Sequence, residues 1–371
     1  MKISYPSSVR WLLPLVIVAA FAVPAAGQTP TTSPDAALRS ALKTYKSGDA
    51  KQGVAALLAI PSAKLEGAVR DLARTEIRSR QFADVEVVAI AVTESAAASL
   101  ERPGTQWRVL KALGEEIGAL LIAAGDASSA IRSWCLAADA LSEALRDFIS
   151  LTPLLTDARA VFKGDAEILF VSGSMYETRA YAQAGDIGPK GRDIIVPTAA
   201  GRGNAAGFMP DAGWWLDDKD RSANLKTARD YYTQVLTSSA SHAEARVRLA
   251  RVLHQLGDLP GALATLGVLP PKGLSQELTY LSRLFRAGIE EDLGHGDLAK
   301  AAYLSALEWR AQAPFVGLAA LLRSSGDAAG SLAVTQRFFQ DAPDDDPWWS
   351  YLRGQGAHLN ERIAQARAAV R

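Results

Sequence analysis

Apolar residues in the stretch RLARVLHQLGDLPGALATL, residues 248 to 266, keep a helical spacing on both sides of a single break. Leu249, Ala250 and Leu253 share one helical face, Gly257-Asp258 interrupts, and Leu259, Ala262 and Leu266 resume at steps of three and four. The same punctuation returns in KSGDA, AAGDA, GHGDL and SSGDA, with glycines at 48, 125, 296 and 326. Gly tolerates the left-handed conformation that ends a helix, and Asp can cap the helix that follows. The pattern therefore predicts a string of helix-turn-helix pairs.

Self-similarity at a period of about 34 residues points to a helical solenoid. Leu249, Ala250, Leu253, Gly257, Leu259, Ala262, Leu266 and Leu269 form one unit; Ile117, Gly118, Leu121, Gly125, Ala130, Trp134 and Ala137 form a second. Leu318, Ala319, Leu322, Gly326, Ser331 and Phe338 form a third, with Pro343 closing it. On these residues the chain resembles the tetratricopeptide repeat family, in which small residues meet where two helices cross. The resemblance implies an all-α fold, a right-handed α-solenoid of such repeats.

Other segments fit more loosely. Residues 66–92 keep the apolar spacing without a Gly-Asp turn, and the first helix of 278–311 runs long. Residues 165–186 supply a first helix with Gly173 at the crossing, yet the matching second helix begins only at Leu225, so a long loop is inserted between them. The expected organisation is a leader over 1–27, a linker over 28–34, repeats over 35–185, an insertion over 186–222, repeats over 223–343 and a C-terminal cap over 344–371. A cap is expected because the last repeat of a solenoid needs a polar outer face.

The N-terminus changes the picture by adding a destination. Lys2 and Arg10 precede an apolar run from Trp11 to Val23 and then small residues. Such a run spans about 20 Å of the roughly 30 Å hydrocarbon core, which suits a secretory signal cleaved near Ala26 or Gly27 better than an anchor. The expected location is periplasmic or secreted. One cysteine, Cys135, cannot form a disulfide within the chain, so packing must supply the stability. Lys+Arg and Asp+Glu both number 40, which argues against nucleic acid as a partner.

Catalytic chemistry finds little support. Four histidines, without an H-E-x-x-H pattern or a cysteine pair, give no metal site. Ser40 and Lys43 match S-x-x-K on an amphipathic helix without its companion motifs, and Gly201, Gly203 and Ala206 match a dinucleotide fingerprint without a following helix. No enzyme and no cofactor is expected. A non-enzymatic scaffold or adaptor is, because the first helices of such repeats line a concave groove that commonly holds a partner peptide. By resemblance, that groove includes Val247, Arg251, His254, Gln255 and Arg323. In the looser repeat it includes Arg70 and Arg74, with Arg78 beside them; these three arginines lie four apart on one stripe, which suits an acidic protein partner or salt bridges to Glu66, Asp71 and Glu76. The alternative reading places glycan or small-ligand binding in the insertion, with Trp214 and Trp215 as a stacking platform beside Asp217 and Asp218.

Overall fold

In the computed structural model, residues 33–100, 106–182, 218–270, 272–341 and 346–371 are described. The leader and most of the insertion, with Trp214, Trp215 and Asp217, lie outside them. Pro34–Arg371 is one compact unit, all-α, with no strand among the described residues.

The first helices are α1 (Pro34–Lys46), α2 (Ala50–Leu58), α3 (Ser62–Arg78), α4 (Ala83–Ala98), α5 (Gln106–Ala123), α6 (Ser129–Leu145), α7 (Phe148–Val161) and α8 (Ala166–Ala182). Then come α9 (Asp218–Ser238), α10 (Ala243–Gln255), α11 (Leu259–Gly267), α12 (Gln276–Asp292), α13 (Gly296–Ala306), α14 (Gln312–Ser324) and α15 (Ala328–Asp341). The chain closes with α16 (Pro347–Leu352), a 3-10 turn over Gly354–His358, and α17 (Leu359–Ala368).

The Gly-Asp turns behave as their chemistry requires at four places. Gly48, Gly125, Gly257 and Gly326 all have positive φ. Asp49, Asp258 and Asp327 accept from the backbone N–H of Gln52, Gly261 and Gly330. In GHGDL the turn glycine is Gly294, not Gly296, which already lies inside α13. Helix α9 begins at Asp218, ahead of Leu225, so the second helix of that pair is longer than its apolar pattern suggests. The run over α12 is long as expected, 17 residues against 13 in α10 and α14.

Close approach at the crossings sets the packing. The Trp134 indole of α6 fills the space where a Cβ on Gly118 of α5 would stand, and its Nε1–H donates to Thr93 Oγ1 of α4 at 3.0 Å. Gly173 of α8 meets Tyr232 of α9 in the same way, with the ring 2.7 Å from where a Cβ would lie. Cys135 is buried in this core as a free thiol, and burial pushes its pKa well above the usual range.

Packing between alternate helices sorts the first eight into two rows. One row contains α1, α3, α5 and α7; the other contains α2, α4, α6 and α8, and is continued beyond α9 by α10, α12 and α14. Helix α7 packs on α5, α6 and α8 but carries no repeat signature in its sequence, and the first helices read from the sequence lie in the odd row before it and in the even row after it.

Candidate functional site

The final segment does not sit on the end of the stack, as a cap would. It runs back along the even row, because its polar and aromatic groups find partners there. Trp348 and Tyr351 stack on each other, with centroids 5.3 Å apart, and both meet Phe285 of α12 edge-on. Tyr351 donates to Glu177 of α8. The Gln355 N–H donates to Glu143 of α6 at 2.6 Å. Arg362 pairs with Glu167 of α8 at 3.1 Å, Arg367 with Glu94 of α4 at 3.2 Å, and the Arg371 guanidinium donates to the Gly48 carbonyl at 3.0 Å. Ile363 and Ala366 of α17 join the main apolar core.

Two glycines fasten the middle of this segment. Gly354 has φ +58 and lies over Glu143, Ser174 and Thr178, while a Cβ on Gly356 would stand 2.6 Å from the Ala144 backbone nitrogen. Only a chain lacking side chains at both positions can approach α6 so closely.

Beneath the segment lies a buried ionic cluster. Glu177 accepts from Tyr232 at 2.7 Å and Arg248 at 3.1 Å as well as from Tyr351, and Arg248 lies 4.5 Å above the Tyr351 ring. Arg248 also pairs with Glu244 at 2.9 Å, and its carboxylate and phenol neighbours hold its pKa well up despite burial. Glu143 accepts from Ser174 at 3.3 Å through one oxygen, but its Oε1 has no hydrogen-bond partner, and neither oxygen of fully buried Asp139 has one. Burial pushes Glu143 up to about 8 and raises Asp139 strongly.

The groove residues expected from the repeat pattern are not brought together. Val247, Arg251 and His254 cluster on α10, but they are buried: Arg251 lies 5.2 Å from the Trp348 ring, and His254 bonds Asp292 at 2.9 Å. Gln255 accepts from Arg221 of α9 at 2.5 Å. Arg323 is exposed at the end of α14. The arginine stripe belongs to the other row, on α3. There Arg70 forks onto Glu116 of α5 at 2.9 Å and reaches Glu66 at 3.2 Å, Arg74 pairs with Asp71 at 3.2 Å, and Arg78 is exposed. The extra helix α7 explains the split, since counting first helices from repeat to repeat crosses from one row to the other.

The residues missed are Glu94, Asp139, Glu143 and Glu177 on the even row. Their signal lies in helix composition: α4 and α6 are apolar almost all round, and carboxylates in such helices must face something specific. On α10, α12 and α13 the helical-pair geometry is regular, with Ala250 and Ala262 fully buried between α10 and α11. The family model described as Tetratricopeptide repeat matches residues 221–278, which span most of α9, all of α10 and α11 and the first residues of α12.

Residues 221–278 carry tetratricopeptide repeat sequence.

Among solved structures, this chain is similar to a monomeric mutant of IFIT1 with Gppp-AAAA, at 12% identity and TM-score 0.40, covering 83% of this chain and 71% of that one. A further monomeric IFIT1 mutant, with m7Gppp-AAAA, is similar at 14% identity and TM-score 0.45, covering 90% and 71%. Likeness at this level says nothing of a shared ligand. Comparison with curated proteins finds no match.

Proposed function

We propose that this repeat protein is a non-enzymatic scaffold or adaptor of the cell envelope that holds a segment of a partner protein along its even row. One observation carries the reading: that row already holds a largely helical protein segment, residues 346–371, through aromatic, backbone and arginine contacts. Tetratricopeptide repeats are in general interaction modules, which supports the non-catalytic part. The envelope location rests on the basic, apolar and small-residue order of residues 1–27, with cleavage near Ala26 or Gly27. No described helix is long and apolar enough to cross a membrane.

A photo-crosslinking side chain placed at exposed Arg353, on the returning segment, tests the reading in an envelope extract, with one at exposed Arg78 on the odd row as the comparison. Crosslinking to one protein from position 353 and not from 78 is the expected result. Crosslinks from 78 alone would move the interface to the arginine stripe.

A further inference from the structure

A cleft of about 630 Å³ opens between α12 and the 3-10 turn Leu307–Trp309 that ends α13. That volume falls within the roughly 300–1,000 Å³ of small-molecule sites. Its lining divides by chemistry. Tyr280 and Trp309 supply an aromatic wall, with ring centroids 5.7 Å apart, while Arg283 and Glu308 line it as an ion pair.

Each part of this lining is fixed by contacts of its own. The Tyr280 hydroxyl donates to Asp346 at 2.7 Å, and Asp346 in turn accepts from the Ala313 N–H at 2.7 Å and the Trp348 N–H at 2.9 Å. The hydroxyl is thus committed, and the ring is what Tyr280 offers the cleft. Beyond Trp309, Arg310 has φ 58, a left-handed conformation that a residue with a side chain keeps only when its surroundings hold it. Its N–H donates to the Leu307 carbonyl and its guanidinium to the Asp341 carbonyl, both at 3.0 Å, which anchors the turn. Arg283 bridges the hairpin, donating to the Ser305 carbonyl at 3.0 Å as well as to Glu308. The walls therefore stand in place before a ligand arrives, and binding does not have to order them.

The charge of the lining selects the class of ligand. Arg283 is its one cation and Glu308 its one anion, so they cancel, and a charged ligand would have to break their pairing to be matched. A neutral ligand leaves the pair intact. Side by side, a guanidinium that only donates and a carboxylate that only accepts match two neighbouring hydroxyls, each of which can do either. The aromatic wall asks for an apolar surface, and its electron-rich ring faces suit C–H groups. A pyranose ring carries both surfaces on one rigid frame. We propose that this cleft binds a neutral saccharide, with Tyr280 and Trp309 against the C–H face of one sugar ring and the Arg283–Glu308 pair engaging two of its hydroxyls. The proposal goes beyond the scaffold reading and needs no partner protein.

The test is titration calorimetry on the purified chain with cellobiose, maltose and N,N′-diacetylchitobiose, and with glucose against glucuronic acid as a charged comparison. At least one of the three neutral disaccharides is expected to bind the wild type. Trp309→Ala and Arg283→Ala should each weaken that binding at least tenfold. Glu308→Ala should do the same, since a hydrogen bond to a charged group is worth about that much. Glucuronic acid should bind the wild type no more tightly than glucose does. Failure of all three disaccharides to bind, unchanged affinity in Glu308→Ala, or a wild-type preference for glucuronic acid would overturn the proposal.

Glu308 keeps the test decisive if loss of the Trp309 ring disturbs the fold. Its side chain is 71% exposed, so Glu308→Ala should leave the circular dichroism spectrum and the melting temperature as they are while saccharide binding falls. Crosslinking from position 353 reads a different surface, so failure of either experiment leaves the result of the other standing.

Discussion

Two buried glutamates one helix apart have opposite surroundings. Glu177 is saturated, with Tyr181, Tyr232, Tyr351 and Arg248 donating to it, whereas Glu143 keeps one oxygen bare. Replacing Glu177 with Leu leaves buried Arg248 with Glu244 alone and takes the acceptor from three tyrosine hydroxyls, which should cost about 3–5 kcal/mol in urea unfolding. Arg70, half-exposed on α3, is the contrast: Arg70→Ala should stay within about 1 kcal/mol despite its two carboxylate partners, because solvent screens them. Burial raises Glu143 to about 8 and Asp139 in the same direction, although Arg248, Ser174 and the Gln355 N–H pull Glu143 down and Arg362 pulls Asp139 down. An acid whose folded pKa lies above its unfolded value of about 4 holds its proton in the folded state, so its stabilisation is complete below that value and is lost as pH rises towards 8. The melting temperature should therefore fall between pH 5 and pH 8 by several degrees, and Asp139→Asn should flatten the fall. Glu167, held down to about 2 by His242 and Arg362, acts in the opposite sense and loses its contribution only as pH drops below about 4.

At the scale of helices, what was legible was local. Hairpins such as α5 with α6 and α10 with α11 follow from small residues at crossings and Gly-Asp at turns, both of which act within one period of the repeat. Gly118 illustrates the force of this: Gly118→Leu has to displace the Trp134 ring and should cost about 1–3 kcal/mol, measurable by chemical denaturation. Helix α7 was not legible as a change of row, since its apolar spacing, Leu151, Leu154, Leu155 and Ala158, is that of any amphipathic helix. Nor did the third repeat announce that α15 would bury no residue; Leu332 and Phe339 stand 59% and 75% exposed, because α15 packs on α14 and no described helix covers its other side. The candidate groove was misplaced for the same reason. Its positions were counted along the repeats, and the count is correct within each pair but crosses rows at α7.

For the molecule as a whole, the returning segment could not be read from pattern. Its partners lie far away in sequence, Tyr351 with Glu177 and Arg371 with Gly48, and pairing at such separation leaves no periodic trace. What the sequence did carry was a set of carboxylates inside helices apolar on every side, which states a need without naming what meets it. Repeat stacks are held by nearest neighbours and can unravel from either end. Here the tail ties α12, α8, α6, α4 and the first turn into one cooperative body, so urea unfolding of the wild-type chain should show a single transition by fluorescence and circular dichroism alike. A chain with Gly356→Val should separate into two.

The return of the tail also bears on the order in which the protein is made. Helices α4, α6 and α8 emerge from the ribosome long before residues 346–371 exist, so during synthesis their carboxylate-bearing face stands open. Residues 346–371, made later, are the ones that cover it, across loops whose closure is slow compared with the hairpins beneath. The helices that carry these carboxylates are thus made well before the residues that satisfy them.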